Sequence, residues 1–283
     1  MKSEESAIKA VTFDLWETLL FERDGSNVER RAIRCGNLTE TLNTFGLSVS
    51  TKQVEVALDR TISSLVKVWD KNKDMSHTDQ IRLFIRYISK GRLTAKEEWV
   101  NEISRAYVSP TFKVRPYLNP DAYEILEWLI SRGDTVGIIC NTGMTPGTEL
   151  RRLLSDMGVA EYFRAMVFSN EVGFRKPDRR IFSLAAKALS AEPKGIVHIG
   201  DNLKSDVWGA KNAGFKAIYL SGNVGRDRIA ESDPKSLVTL SRNLGSPRVK
   251  QIEPDETIFS LSMVKQAIGR IEAGLLRKSG GEH

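Results

Sequence analysis

The sequence predicts an α/β protein: a parallel sheet core covered by helices, with a helical block inserted after the first strand. Three observations carry this. From Arg115 onward, short apolar runs alternate with helical patterns, as parallel strands joined by helices require. Between residues 27 and 107, apolar residues recur at helical spacing with hardly any strand pattern. A lone apolar strand, residues 8–13, precedes that block and belongs with the later strands.

Val54, Leu58, Ile62, Leu65 and Trp69 mark one helix of the block. Ile81, Phe84, Ile85 and Ile88 mark a second, and Trp99, Ile103 and Tyr107 a third. Gly46, Gly91 and residues 72–76 punctuate them. The block therefore reads as a compact bundle, residues 21–114, set into a unit made of residues 1–20 and 115–283. In that unit a helix over 121–132 ends before Gly133, and Thr135–Cys140 is a buried strand. Leu150, Leu153, Leu154 and Met157 mark the next helix, and Ala165–Phe168 a short strand. A helix over 178–189, a strand over 195–199, a helix over 205–213 and the strand Lys216–Leu220 follow. Residues 221–255 are polar, with Gly, Ser, Pro and charges, and read as a loop or insertion. Residues 257–259 are expected to add an edge strand. Val264, Ile268, Ile271 and Leu275 mark a final helix, and 279–283 are expected to be disordered.

At 283 residues and 41% hydrophobic, the chain can bury one large core, or a medium core beside a small one. Two cysteines, Cys35 and Cys140, are too few for a disulfide framework, so a reducing, cytoplasmic compartment is the expectation. The polar, acidic residues 1–7 argue against a secretory signal, and no apolar run is long enough to span a bilayer. Residues 22–115 hold 17 Lys and Arg against 12 Asp and Glu, about five of the six net positive charges. A basic lid over an anionic substrate or a nucleic-acid surface would explain the excess, as would solvated helix faces. The bases are interleaved with acids and form no tract, so solvated faces are favoured and nucleic acid is not an expected partner.

The chemistry gathers at strand ends, where open parallel sheets bind ligands. Asp14 follows the first strand, Cys140-Asn141-Thr142 the apolar run 135–139, and Gly200-Asp201 the 195–199 strand. Lys176-Pro177 lies before the last of these, Asp206 just after it, and Thr18 four residues past Asp14. A carboxylate can attack phosphorus or an activated carbon to form an ester that water then cleaves. Attack on a phosphate dianion is opposed by several kcal/mol of Coulomb repulsion in a partly dry site, on the order given by the charge separation, so positive charge is required. Pro177 fits the first turn of a helix and would hold Lys176 at its mouth. Asp14, Asp201 and Asp206 make a hard oxygen set suited to Mg²⁺. Simpler roles stand beside these: Asp206 as a helix cap, Cys140 as a small buried apolar residue, Thr18 as a turn residue, Lys176 as a surface lysine.

From residue 8 to about 276, these segments together resemble the haloacid dehalogenase-like (HAD) hydrolases, in the subfamily with a helical cap between the first and second motifs. The resemblance implies a Rossmann-like core, a mobile α-helical cap and an aspartate that is transiently esterified. It makes Asp14 the nucleophile, Lys176 the lysine that screens Asp14 and substrate, and Thr18 the residue that orients the loop. It places Cys140, Asn141, Thr142 and Lys176 on the substrate. Mg²⁺ would take Asp14, Asp201 and the main-chain carbonyl of Trp16, with Asp206 acting through water or orienting the loop.

Three positions depart from the phosphatase pattern. Cys140, a weak donor, replaces the usual Ser or Thr. Trp16 stands where family phosphatases carry a second aspartate, whose acid–base role is typically worth about 10²–10⁴ in rate. Glu17, where glycine is usual, is a candidate substitute acid. Haloacid dehalogenases carry an aromatic residue at this position, and a leaving halide needs neither proton nor metal. The Gly200-Asp201…Asp206 arrangement, in contrast, has the metal-binding form. The favoured function is Mg²⁺-dependent hydrolysis of a small phosphorylated substrate through an aspartyl-phosphate on Asp14. A metal-independent 2-haloacid dehalogenase comes second, and a catalytically weak relative that binds a phosphorylated ligand or a protein third. Expected partners are a small phosphorylated or halogenated molecule and, at most, a second copy of the chain, with no membrane. His77, Arg30, Arg31 and Arg34 are candidates for substrate contact by charge, each with solvent exposure as the ordinary expectation.

Overall fold

The computed structural model describes residues 7–221 and 252–279. Six parallel strands form one sheet: β1 (Ala10–Phe13), β4 (Thr135–Cys140), β5 (Ala165–Phe168), β6 (Ile196–Gly200), β7 (Lys216–Leu220) and β8 (Glu256–Ile258). Their order is β5-β4-β1-β6-β7-β8, so the chain builds outward on one side of β1 and then returns to build on the other. All four residues of β1 are buried, as a strand covered by helices on both faces demands. On one face α6 (Ala122–Ser131), α7 (Gly147–Asp156) and α11 (Val264–Ser279) enclose a cluster that includes Val11, Phe13, Leu126, Leu153 and Ile268. On the other, α9 (Arg179–Leu189) packs Ile181, Phe182 and Ala185 against Ala10, Ile139 and Ile196. The α8 turn (Ser169–Val172) follows β5.

The helical insertion comprises α1 (Ser26–Thr44), α2 (Thr51–Trp69), α3 (His77–Ile88), α4 (Glu97–Val108) and the short α5 (Pro110–Lys113). Ser50 and Gln53 form a reciprocal capping box that starts α2, and the Ser76 hydroxyl caps α3. These helices enclose their own apolar cluster, with Leu38, Leu42, Leu58, Phe84 and Ile103 at its centre. Truncating any of those leucines to alanine would cost about 2–5 kcal/mol. The chain leaves and re-enters the sheet unit through a short antiparallel pair, β2 (Leu20–Phe21) with β3 (Tyr117–Leu118). β2 lies at residues 20–21 and β3 just past residue 115, so the pair ties the two chain crossings together.

Two expectations shift. The helix expected over 205–213 is a π-helix, Leu203–Trp208, followed by a short α10, Gly209–Asn212. The Asn202 side chain accepts from the Lys204 and Ser205 amides, which draws the start upstream. Pro177 lies outside the first turn of α9; it follows Lys176 through a cis peptide bond and precedes the N-cap Asp178. Most of the polar stretch 221–255, and residues 280–283 of the expected tail, lie outside the described residues.

Candidate active site

The sheet register assembles the site. Phe13 pairs with Ile138 on one side and Ile199 on the other, so the chain emerges from β1, β4 and β6 at one edge. There Asp14, Asn141, Thr142, Lys176 and Asp201 line a cavity of about 240 Å³. Carboxylate oxygens of Asp14, Asp201 and Asp206 converge to within 4.8 Å of one another. The Asp14 amide donates to the Ile199 carbonyl at 2.8 Å, continuing the sheet bonding and fixing where the carboxylate begins.

Lys176 holds the centre. Its buried Nζ lies 2.6 Å from Asp14 Oδ1 and 2.6 Å from Asp206 Oδ1. Its backbone is gripped by Asn141, whose Oδ1 accepts from the Lys176 amide at 2.8 Å and whose Nδ2 donates to the Lys176 carbonyl at 3.0 Å. Asn141 thus positions the lysine as well as facing the cavity. Asp206 is buried too: its Oδ2 accepts from the Asn202 amide, and its Oδ1 lies 3.3 Å from His198 Nε2. His198 is fixed in turn by Thr12, its register partner on β1, at 2.9 Å. Gly200 is required by this closeness, because a Cβ there would collide with the Asp206 carboxylate.

One lysine between two buried carboxylates leaves negative charge in excess. Burial pushes the Asp14 carboxyl up to about 6 against the pull of Lys176, and neighbouring Asp206 adds to the rise. Burial alone would raise Asp206 as well, but Lys176 and His198 outweigh it and hold that carboxyl below the usual range. Burial works against a charged Lys176, yet the two carboxylates prevail and raise it.

Not every expected residue arrives. Cys140 ends β4 with its side chain packed in the sheet cluster, and burial raises its thiol well above its ordinary value. It is not among the residues that line the cavity. Thr18 is fully buried, its hydroxyl lacks a partner, and its carbonyl accepts from Asn119. It is not among the cavity residues. Trp16 does line the cavity, half-buried against the sheet cluster. Glu17 beside it lines the cavity too, in the left-handed region at φ 59°, a conformation that costs a non-glycine residue roughly 1–2 kcal/mol.

The insertion contributes residues that the sequence reading passed over. Asp74, in the loop between α2 and α3, has a fully buried side chain. Its Oδ2 accepts from Arg175 Nη1 at 2.7 Å and from the Ser169 hydroxyl, and lies 3.4 Å from the Thr142 hydroxyl. Arg175 also donates to the Thr142 carbonyl and stacks on Trp69. The insertion is thereby bolted to the two segments that carry Thr142 and Lys176. Of the basic residues named from charge, Arg30 and Arg34 are buried at 6% and 5% exposure, not solvated as expected. They share a face of α1 with Leu38 and Leu42 at intervals of four, a spacing that signals burial. Arg31 is half-exposed and paired with Asp59, and all three arginines line the cavity. His77 bonds to Ser104 and is not a cavity residue.

Comparison with known proteins agrees with this geometry. The family model for haloacid dehalogenase-like hydrolases matches residues 8–214. A glyceraldehyde 3-phosphate phosphatase of Methanopyrus kandleri is 28% identical over 232 residues, covering 81% of this chain and 89% of that protein. Its counterpart in Pyrococcus abyssi is 30% identical over 217 residues, covering 75% and 81%. In fold, a 2-haloacid dehalogenase from Pseudomonas syringae pv. Tomato DC3000 superposes with a TM-score of 0.65 at 20% identity, covering 93% of this chain and 99% of that one. A sheet with this strand order, its acidic edge and the extent of the family match lead to one assignment: the chain belongs to the haloacid dehalogenase-like hydrolases.

Proposed function

We propose that the chain is a Mg²⁺-dependent phosphatase that hydrolyses a small phosphorylated molecule through an ester on Asp14, with the helical insertion as its cap. The observation that carries this is the position of Lys176, bonded at once to Asp14 and Asp206 beside Asp201. A carboxylate nucleophile facing a phosphate needs such a cation to offset charge repulsion. The full-length relatives named as phosphatases support the reaction class.

In the first half-reaction an Asp14 oxygen attacks phosphorus, the bond from phosphorus to the ester oxygen breaks, and the alcohol departs with a proton from solvent. Water then attacks phosphorus, the bond to Asp14 breaks, and inorganic phosphate leaves with the carboxylate restored. Lys176 screens Asp14 from the incoming phosphoryl oxygens throughout, while Asn141 keeps it in register.

The donor set fits a hard divalent cation: three carboxylates converge to within 4.8 Å of one another, and Asp14 and Asp206 share a single lysine. Asp14, Asp201, Asp206 and the Trp16 carbonyl would hold Mg²⁺, which supplies further positive charge against the phosphoryl oxygens. Trp16 offers no proton, so substrates with good leaving groups are favoured.

Phosphate release from an aryl phosphate with and without Mg²⁺ tests this. Release that depends on the metal, and falls on the order of 10⁴-fold or more in Asp14→Asn, is the expected result. The presence of Trp16 in the cavity favours one other reading, dehalogenation. Metal-independent halide release from a short 2-haloacid, without phosphate release, would establish that reading and overturn ours.

A further inference from the structure

The unexplained group in the cavity is Arg34. It is 95% buried, and its Nε donates to the Tyr107 carbonyl at 2.6 Å while its guanidinium stacks on the Tyr107 ring. Among the described residues no carboxylate forms an ion pair with it, and its two Nη atoms have no acceptor. A buried charge without a counter-ion is costly and rare. Arg30, one turn earlier, does have a partner in Glu22 at 2.5 Å. That pair still leaves Arg30 Nη2 without an acceptor and Glu22 Oε2 without a donor, both buried. Arg30, Arg34 and Glu22 all line the same cavity as Asp14.

We propose that the cavity takes a doubly anionic small molecule, with a phosphate toward Asp14 and a carboxylate bound by the open guanidinium fork of Arg34. The assignment rests on the phosphatase reading above for the first group only. A carboxylate is favoured for the second because Arg30 and Arg31 are already matched by Glu22 and Asp59. Arg34 contributes one charge, which balances a monoanion, and its planar fork matches two carboxylate oxygens.

Binding to the Asp14→Asn protein, measured by calorimetry with Mg²⁺, tests the proposal without requiring turnover. Two matched pairs serve as probes: 2-phosphoglycolate against 2-hydroxyethyl phosphate, and 3-phosphoglycerate against glycerol 3-phosphate. In each pair a carboxylate is replaced by a neutral CH₂OH. At least one carboxylated member is expected to bind roughly 10- to 100-fold more tightly than its neutral partner. Adding Arg34→Gln should collapse that ratio towards one, and Arg34→Lys, which keeps the charge but loses the fork, should reduce it partially. Should the glutamine variant fail to fold, the lysine variant and the parent ratio still decide. Equal affinity within both pairs, or a ratio that survives in the Arg34 variants, overturns the carboxylate subsite and leaves the phosphatase reading intact. Failure of all four phosphoesters to bind overturns both.

Discussion

Two sets of residues that line the cavity, one at the strand ends and one on the helical insertion, have opposite electrostatic deficits. At the strand ends, Asp14 and Asp206 share Lys176 beside Asp201, and these two buried carboxylates outnumber the one cation between them. On the insertion, Arg30, Arg31 and Arg34 have only Glu22 and Asp59 as ion-pair partners among the described residues, and positive charge is in excess there. The two deficits do not cancel across the cavity, since each set is held by its own part of the fold. A cavity lined by both sets calls for a cation beside the carboxylates and an anion beside the arginines.

The largest expected effect comes from emptying the strand end of its lysine. Lys176→Met leaves two buried carboxylates without a cation and is expected to destabilise the fold by about 3–5 kcal/mol near neutral pH. Denaturant unfolding measures it, and the loss should shrink in acid as Asp14 takes up a proton. Arg34→Met removes a charge that has no carboxylate partner, so its cost should be clearly smaller despite the lost bond to the Tyr107 carbonyl. Equal losses would mean that both sets are structurally balanced, and the contrast between them would fail.

The two sets also differ in how much the sequence disclosed. Strands such as Thr135–Cys140 and Lys216–Leu220 were legible to the residue, because a strand buried on both faces is a continuous apolar run between breaks. Since strand ends hold the ligand edge, Asp14, Asn141 and Asp201 were legible with them. Cys140 holds its motif position at the end of its strand, yet its side chain is buried in the sheet cluster and does not line the cavity, which motif spacing does not encode. The insertion end was harder. Asp74 and Arg175 are 101 residues apart, and no local pattern pairs them. Arg30 and Arg34 look like ordinary solvated charges unless their spacing to Leu38 and Leu42 is followed along α1. The π-helical start at Leu203 depends on the Asn202 cap, which a helical period does not encode.

Trp16 is the apolar exception at the acidic end, and replacing it sharpens the contrast. Trp16→Asp adds a carboxyl where a leaving oxygen can be protonated. Turnover of an alkyl phosphate is expected to rise about tenfold or more, within the usual range for general acid catalysis. An aryl phosphate should gain far less, because its leaving group departs without a proton. Trp16→Asn, which cannot donate that proton, is the control. An equal gain in both variants, or for both substrate types, would assign the effect to space and not to acid catalysis. The same assays in Glu17→Gln would report whether that neighbouring carboxyl already serves as the acid.

The smallest effect is a pH dependence of the acidic end that the basic end should lack. Burial raises the Asp14 carboxyl from its ordinary 3.8 to about 6, so between those values the folded chain binds more protons than the unfolded one. By linkage this group's contribution to stability is fully present below about 4 and is lost as the pH rises to about 6. A divalent cation offsets that loss by binding the ionised carboxylate, and it competes with the proton for the same oxygen. Apparent Mg²⁺ affinity, measured by calorimetry between pH 5 and 8, should therefore be level above about 6 and fall by up to about tenfold per unit below it. In Asp14→Asn this dependence should vanish and the affinity should drop at every pH. In Arg34→Gln the profile should keep its shape, because that guanidinium belongs to the helical insertion. Affinity that ignored pH in the parent protein would place the metal away from Asp14, and the negative excess at the strand ends would then need Lys176 alone to balance it.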